Sequence, residues 1–290
     1  MFQRVAFLGI GLIASSMARA MRQQGLAHTL AAASRQEKTC AMALHLHVVD
    51  EAATDPIAIV KGADLVVLAT PVSAYADLMQ RIAPHLAPGT IVTDVGSVKG
   101  QVVADVAPLV PEGVHFVPAH PIAGTEHSGP EAGFAELFQR RWCILTPLPK
   151  TDAQAIERIA ELWRSFGSKV DVMTPAHHDQ VLAMTSHLPH LIAYTIVGTA
   201  VDLEDALQNE VIQYSASGFR DFTRIAASDP VMWRDIFLSN REAVLEVLGR
   251  FSEDLAALQK AIRWGDGQTL EALFTRTRAI RRGIVEAGQA

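Results

Sequence analysis

Near the start of the chain an apolar run, Arg4 to Leu8, gives way to Gly9-Ile10-Gly11-Leu12-Ile13-Ala14 and then to a helical pattern. A G-x-G-x-x-A sequence in that setting predicts a parallel βαβ unit built to hold a dinucleotide. Gly9 permits the tight turn, Gly11 lets the backbone approach a pyrophosphate, and Ala14 lets helix and strand pack closely. The helix N-terminus, with Leu12 and Ile13 in its first turn, offers unpaired N–H groups and a favourable dipole to the anion. Glycine turns also arise for structural reasons alone, so the place of this one, at the first strand-to-helix turn, is what gives it meaning.

The second strand bears on which dinucleotide binds. An acidic residue at its end would accept hydrogen bonds from a ribose 2′-hydroxyl. Here His28 to Ala33 is followed by Ser34-Arg35-Gln36, a hydroxyl, a guanidinium fork and an amide suited to a 2′-phosphate. NADP is the expected cofactor. NAD is the weaker alternative, through Glu37 if the strand runs further, and a solvated loop cation is the structural alternative for Arg35.

Further apolar runs ending in turns, Ala63 to Thr70, Thr90 to Val95, His115 to Val117 and Trp142 to Leu145, continue the alternation of strand and helix. Ala63 to Thr70 is apolar at nearly every residue, as suits a central strand buried on both faces, and Thr70 and Pro71 at its end are expected to line the cofactor site. A helix near Ala153 to Phe166 and a last strand, Lys169 to Met173, close this region. Beyond Pro175 the apolar residues fall at helical spacing, so the division predicted is an α/β domain over 1–173 and an all-helical domain over 174–290. Val244, Leu248, Phe251, Leu255, Leu258 and Ile262 make a narrow seam, and Leu270, Leu273, Thr277, Ile280 and Ile284 make another. Such seams need partners, either each other or a second subunit.

Composition excludes some classes. Twenty-five basic against thirty-one acidic residues give a formal charge of -6, with no basic run dense enough to track phosphates, so nucleic acid is not an expected partner. Val181 to Val201 lacks Asp, Glu, Lys and Arg but is interrupted by His187, Pro189 and His190, which fits a buried helix better than a membrane span. Cys40 and Cys143 lack metal or redox spacing, and the first strand leaves no room for an export signal, so a reducing, cytoplasmic setting is expected. His177, His178, Asp179, His187 and His190 cluster in sequence without matching a zinc pattern, so no metal site is expected.

From residue 90 onward four blocks become specific: Asp94-Val95-Gly96-Ser97-Val98-Lys99, His120-Pro121-Ile122-Ala123-Gly124-Thr125-Glu126, Ser186-His187-Leu188-Pro189-His190, and Gly218-Phe219-Arg220-Asp221-Phe222-Thr223-Arg224. With these in order the chain resembles the prephenate/arogenate (cyclohexadienyl) dehydrogenase family over essentially its whole length, departing from the commonest pattern in having Ala14-Ser15 where glycines are usual. The resemblance implies a Rossmann domain followed by an all-helical domain that dimerises, and oxidative decarboxylation of a cyclohexadiene, prephenate or arogenate, in tyrosine biosynthesis.

The resemblance also implies roles. His120 would accept the hydroxyl proton as hydride leaves the same carbon, which requires a neutral imidazole. Ser97 would orient the ring hydroxyl and His120. Arg224 would grip a substrate carboxylate with a two-pronged guanidinium, with Arg220 in reserve, and His190, His187, Thr125 and Glu126 would lie at the substrate. Lys99 is expected to serve the cofactor or its loop, or to be a solvated helix-start lysine. Read without the resemblance, His187 and His190 would be core or capping histidines. An arogenate enzyme needs an acid for the substrate ammonium, and Glu126, Asp221 and Asp229 all remain open. The alternatives are a β-hydroxyacid dehydrogenase-like oxidoreductase, with a lysine in place of His120, and a catalytically silent NADPH-binding regulator.

Overall fold

The computed structural model describes residues 1–125, 127–202, 210, 213–214 and 216–286. By packing, these fall into one compact unit over Met1–Arg241 and a second over Glu242–Ala290.

The first unit is built on a six-stranded parallel sheet of β1 (Phe2–Leu8), β2 (Ala27–Ala33), β3 (Glu51–Ala53), β4 (Leu65–Leu68), β5 (Ile91–Asp94) and β6 (His115–Val117), in the order β3-β2-β1-β4-β5-β6. Leu8 is in register with Ala33 on one side and Leu68 on the other, so the carboxyl ends of the central strands share one edge. Strand order reverses between β1 and β4, and the crevice at such a reversal is where open α/β sheets bind ligands. β4 is buried at all four positions, as its unbroken apolar run predicts.

Helices cover both faces. α1 (Leu12–Gln23) packs one face with Ala14, Met17, Ala18 and Met21, and α6 (Ala153–Ser165) adds an aromatic cluster in which Trp163 meets Phe138 edge-on at 5.1 Å. On the other face lie α3 (Pro56–Val60), α4 (Tyr75–Ile82) and α5 (Gly100–Val106). α2 (Glu37–His45) follows β2, and Cys40 and Cys143 are buried free thiols.

Not all the expected strands join this sheet. Trp142–Leu145 and Lys169–Val172 are β8 and β9 of a separate three-stranded sheet, whose edge strand β7 (Ala119–Pro121) runs antiparallel to β8. The cause is local. Pro118 has no N–H with which to continue β6, and its carbonyl instead accepts from Thr146 N at 2.9 Å, turning the chain into the second sheet.

Beyond β9 the described elements are helical: α7 (Pro175–Leu182), a π turn (Ala183–His187), α8 (Leu188–Val201), α9 (Ser217–Thr223), a 3-10 turn (Arg224–Ala227) and α10 (Pro230–Ser239). The run Pro175–Ala200 is long and apolar enough to cross a membrane by length and composition alone. Buried bonds from Asp179 to the backbone of Lys99 and Gly100 tie that run to the sheet domain. α8 differs from the buried helix expected, because Thr195, Ile196, Gly198 and Thr199 are exposed.

The second unit holds two successive helices. α11 (Arg241–Trp264) ends at Gly265, whose φ of +67° suits glycine, and Asp266 accepts from Thr269 N at 3.0 Å to start α12 (Gly267–Glu286). Leu255, Ile262 and Ile280 are exposed, so the helical seams are not closed by the chain itself at these positions, and Phe274 is exposed beside them in sequence.

Candidate active site

The glycine turn behaves as its sequence requires. Gly9 has φ +96°, its N–H donates to Ala33 O at 2.8 Å, and a Cβ added there would lie 2.5 Å from Ala69 O, so both backbone conformation and space exclude a side chain. A Cβ on Gly11 would meet nothing within 4 Å, which leaves the approach to the start of α1 open. That helix has neither a side-chain cap nor an acidic residue in its first turn, so its N–H groups remain available to an anion.

These features border a cleft of about 440 Å³. Gly9 and Gly11 form its floor, Ser34, Arg35 and Gln36 one wall, and Thr70 and Pro71 the opposite one. Leu12 and Ile13 are not among the lining residues, because they turn into the helix and pack half-buried against the core. Glu37 begins α2, outside the lining, since β2 stops at Ala33. Lys38 lines the cleft and was missed in the sequence; its place within one turn of Arg35 was the available signal. The loop Ser128–Glu131 completes the rim. The glycine cradle, the uncapped helix start and the cationic wall fit a phosphate-bearing dinucleotide.

His120 lies on β7, in the small second sheet, just past the carboxyl end of β6 rather than in the loop after a strand of the parallel sheet. It is 8% exposed. Its Nδ1 lies 2.8 Å from Nε2 of His178, whose own Nδ1 lies 2.8 Å from Asp179 Oδ1. Burial, then the neighbouring His178 and Lys99, push the His120 imidazole well below the usual histidine range, so it is uncharged near neutrality. Ser97 is half-buried and carries no hydrogen bond among the described residues; the bond expected between it and His120 runs instead from His120 to His178.

Lys99 is neither solvated nor among the residues lining the cleft. Its side chain has no exposure, and Nζ donates to Asp94 Oδ2 at 2.5 Å and to Ala119 O at 2.8 Å. Burial moves Lys99 down and Asp94 up, and their mutual attraction opposes both shifts.

The remaining candidates divide. His190 is half-buried, donates from Nδ1 to Ser186 O at 2.8 Å, and stacks on Trp233 with centroids 3.6 Å apart. Burial lowers its pKa, and the positive charge of Arg224, an exposed residue on the 3-10 turn, pushes it the same way. His187 has no solvent-exposed surface, so the direct substrate contact expected of it is not met by its position. The π turn directs its ring inward, where Nδ1 accepts from Asn240 Nδ2 at 3.2 Å. Thr125 is exposed on the loop after β7, and its hydroxyl accepts from His127 N at 3.3 Å. Glu126 lies outside the described residues. Arg220 is exposed and faces Asp221 at 3.6 Å, while Asp229 is spent in capping α10 through Met232 N at 2.8 Å. Among the described residues no three His, Cys, Asp or Glu side chains group to hold a metal.

A doubly wound sheet whose glycine turn opens on a phosphate-ready cleft, with a neutral imidazole on the strand leading towards it, defines a nicotinamide-dinucleotide oxidoreductase. Residues 17–172 match the family model for the prephenate dehydrogenase nucleotide-binding domain, and residues 174–276 match that for the prephenate dehydrogenase dimerization domain. The chain belongs to the prephenate dehydrogenase family. It is 42% identical to the cyclohexadienyl dehydrogenase of Zymomonas mobilis over 98% of this chain and 96% of that one. Among solved structures it is similar to prephenate dehydrogenase from Aquifex aeolicus in complex with hydroxyphenyl propionate and NAD+, with TM-score 0.90 and 33% identity, covering 98% of this chain and 99% of that one. It is also similar to Synechocystis arogenate dehydrogenase, with TM-score 0.82 and 30% identity, covering 97% of this chain and 99% of that one.

Proposed function

We propose that the protein oxidatively decarboxylates prephenate, arogenate or both, with NADP preferred over NAD, in tyrosine biosynthesis. The observation that carries the reading is His120, an uncharged imidazole held through Nδ1 on the segment that runs on into the rim of the dinucleotide cleft. A bound nicotinamide supplies the hydride acceptor. His120 takes the ring hydroxyl proton as the carbon–oxygen double bond forms, and loss of the ring carboxylate as carbon dioxide completes aromatisation. The same imidazole can return its proton to the phenolic oxygen.

The other residues bind and orient. Arg224, exposed and with a charge that is felt at His190, is the cation for a substrate carboxylate, and Ser97 orients the hydroxyl that His120 deprotonates. Arg35 and Lys38 together on the cleft wall support NADP. A homodimer through the helical region is supported by the match to a dimerization-domain model and by the exposed apolar side chains of α11 and α12.

The β-hydroxyacid reading needs a lysine in place of His120, and Lys99 is committed to Asp94 and Ala119. Steady-state assays with prephenate and arogenate, each with NAD and NADP, test the proposal. Turnover of at least one cyclohexadiene, faster with NADP, is expected. Turnover of β-hydroxyacids alone would replace the reading, and cofactor binding without any turnover would make the protein a silent regulator.

A further inference from the structure

Three buried side chains on two distant segments form one continuous hydrogen-bonded line: Asp179, His178 and His120. Its polarity can be worked out from the carboxylate end. Burial opposes the charge on Asp179, but hydrogen bonds from His178 and from the backbone N–H groups of Lys99 and Gly100 hold its carboxyl below the usual range, so it is ionised near neutrality. An ionised carboxylate only accepts hydrogen bonds. His178 must therefore carry its proton on Nδ1, facing Asp179 Oδ1 at 2.8 Å. Because burial keeps His178 neutral, its Nε2 then bears a lone pair and accepts. The partner 2.8 Å away, Nδ1 of His120, must be the donor. Each step leaves one choice, and the last puts the lone pair of His120 on Nε2.

We infer that His178 and Asp179 are positioning residues that fix His120 as the Nδ1–H tautomer and so hold Nε2 ready to receive the substrate proton. The inference deepens the proposed reaction and rests on His120 being its base. The arrangement is built rather than incidental. Asp179 Oδ1 and Oδ2 accept from Lys99 N and Gly100 N at 2.8 Å each, and a Cβ on Gly100 would sit 2.9 Å from Oδ2, so glycine lets the carboxylate come that close. Asn240 holds the same residue from its backbone, donating to Asp179 O at 2.8 Å. The His178 side chain has no exposure, so water does not compete for its ring nitrogens. In hydrolases that use a carboxylate–imidazole pair, the carboxylate likewise orients the ring, selects its tautomer and stabilises the imidazolium without itself taking the proton. Here a second imidazole is interposed, which carries the same instruction one residue further.

The imidazole nitrogens of the intact protein, labelled with 15N and assigned by loss of signal in His120→Asn, report the tautomer directly. The expected spectrum has His120 protonated on Nδ1 and bare on Nε2; protonation on Nε2 in the wild type overturns the inference. Turnover supplies the second arm. His178→Phe removes the acceptor and should lower kcat by roughly a hundredfold, the scale of a misaligned general base, with KM nearly unchanged. His178→Gln places an amide oxygen where Nε2 was and should recover most of that loss along with the Nδ1–H signal. Wild-type kcat in the Phe variant overturns the positioning role, and a Phe variant that does not fold leaves the wild-type spectrum to decide. Full turnover in His120→Asn would remove the base itself while leaving the tautomer measurement valid, so the two failures are distinguishable.

Discussion

Lys99 places its ammonium 2.8 Å from the carbonyl oxygen of Ala119, the residue before His120. The N–H of Ala119 is held as well, donating to Asp94 Oδ1 at 3.1 Å, while Asp94 Oδ2 takes the lysine. Both polar groups of the residue that starts β7 are thus clamped, one by the last residue of β5 and one by the loop that follows, and that short strand, which has proline at its end, gains little from ladder bonds of its own.

Removing one partner of this pair should therefore be costly. Lys99→Met leaves Asp94 as an uncompensated buried charge, for which a loss of roughly 3–5 kcal/mol is expected. Urea unfolding of the variant near neutral pH measures it. A loss below about 1 kcal/mol, the size of an exposed pair, would mean the clamp is not the anchor it looks to be.

At the proposed base the signature is kinetic. His120→Asn should depress kcat by roughly a hundredfold or more with KM little changed, whereas Arg224→Ala should raise KM for the cyclohexadiene most. Steady-state kinetics on both variants separate the roles. An unchanged KM in Arg224→Ala would move the carboxylate clamp elsewhere, and Arg220, exposed and four residues earlier, is the next residue to test.

What the sequence made legible follows the range of the interactions involved. The Gly9 turn could be read because its requirement, a positive φ against the backbone of Ala69, falls on one residue whose neighbours announce it. β4 could be read because burial on both faces leaves an unbroken apolar run. β7 could not, since Pro118 turns the chain out of the first sheet towards Thr146, a partner far along the chain. The His178–His120 contact joins residues 58 apart, so the histidine-rich stretch, which matches no metal pattern, showed no role while its partner lay on another element. Lys99 looked like a loop cation because its burial is set by Asp94 and Ala119, not by the residues beside it. α8 looked like a core helix because apolarity reveals that a face avoids water, not which surface covers it.

Buried histidines should also make the fold sensitive to acid. Burial lowers the His187 pKa from 6.5 to about 4. Between those values the unfolded chain binds a proton that the folded chain refuses, so stability is complete above the higher value and falls as pH drops towards the lower one. For this one residue the loss is about 2 kcal/mol by about pH 5, and His120 and His178, shifted the same way, add to it. Unfolding free energies at about pH 7.5 and about pH 5 should differ less in His187→Gln than in the wild type; an equal difference would show that His187 is not the group responsible.

The proposed preference for NADP rests on Ser34, Arg35, Gln36 and Lys38, which line the cleft. A 2′-phosphate there would accept charge-assisted hydrogen bonds, each worth roughly 1.5–3 kcal/mol, so Arg35→Ala should weaken NADP by about ten- to a hundredfold. NAD, which lacks the phosphate, should be nearly unaffected, and Lys38→Ala should act in the same direction but less, because a lone ammonium cannot grip the phosphate with two parallel bonds. Glu131 lines the same cleft and bears the opposite charge, so Glu131→Gln provides a control of opposite sign: it relieves repulsion of the phosphates and should strengthen both dinucleotides, NADP at least as much as NAD. The readout is KM for each cofactor at saturating substrate. If Arg35→Ala changed NAD and NADP in equal proportion, Arg35 would be attracting phosphate in general rather than reading the ribose, and the NADP assignment would lose its basis.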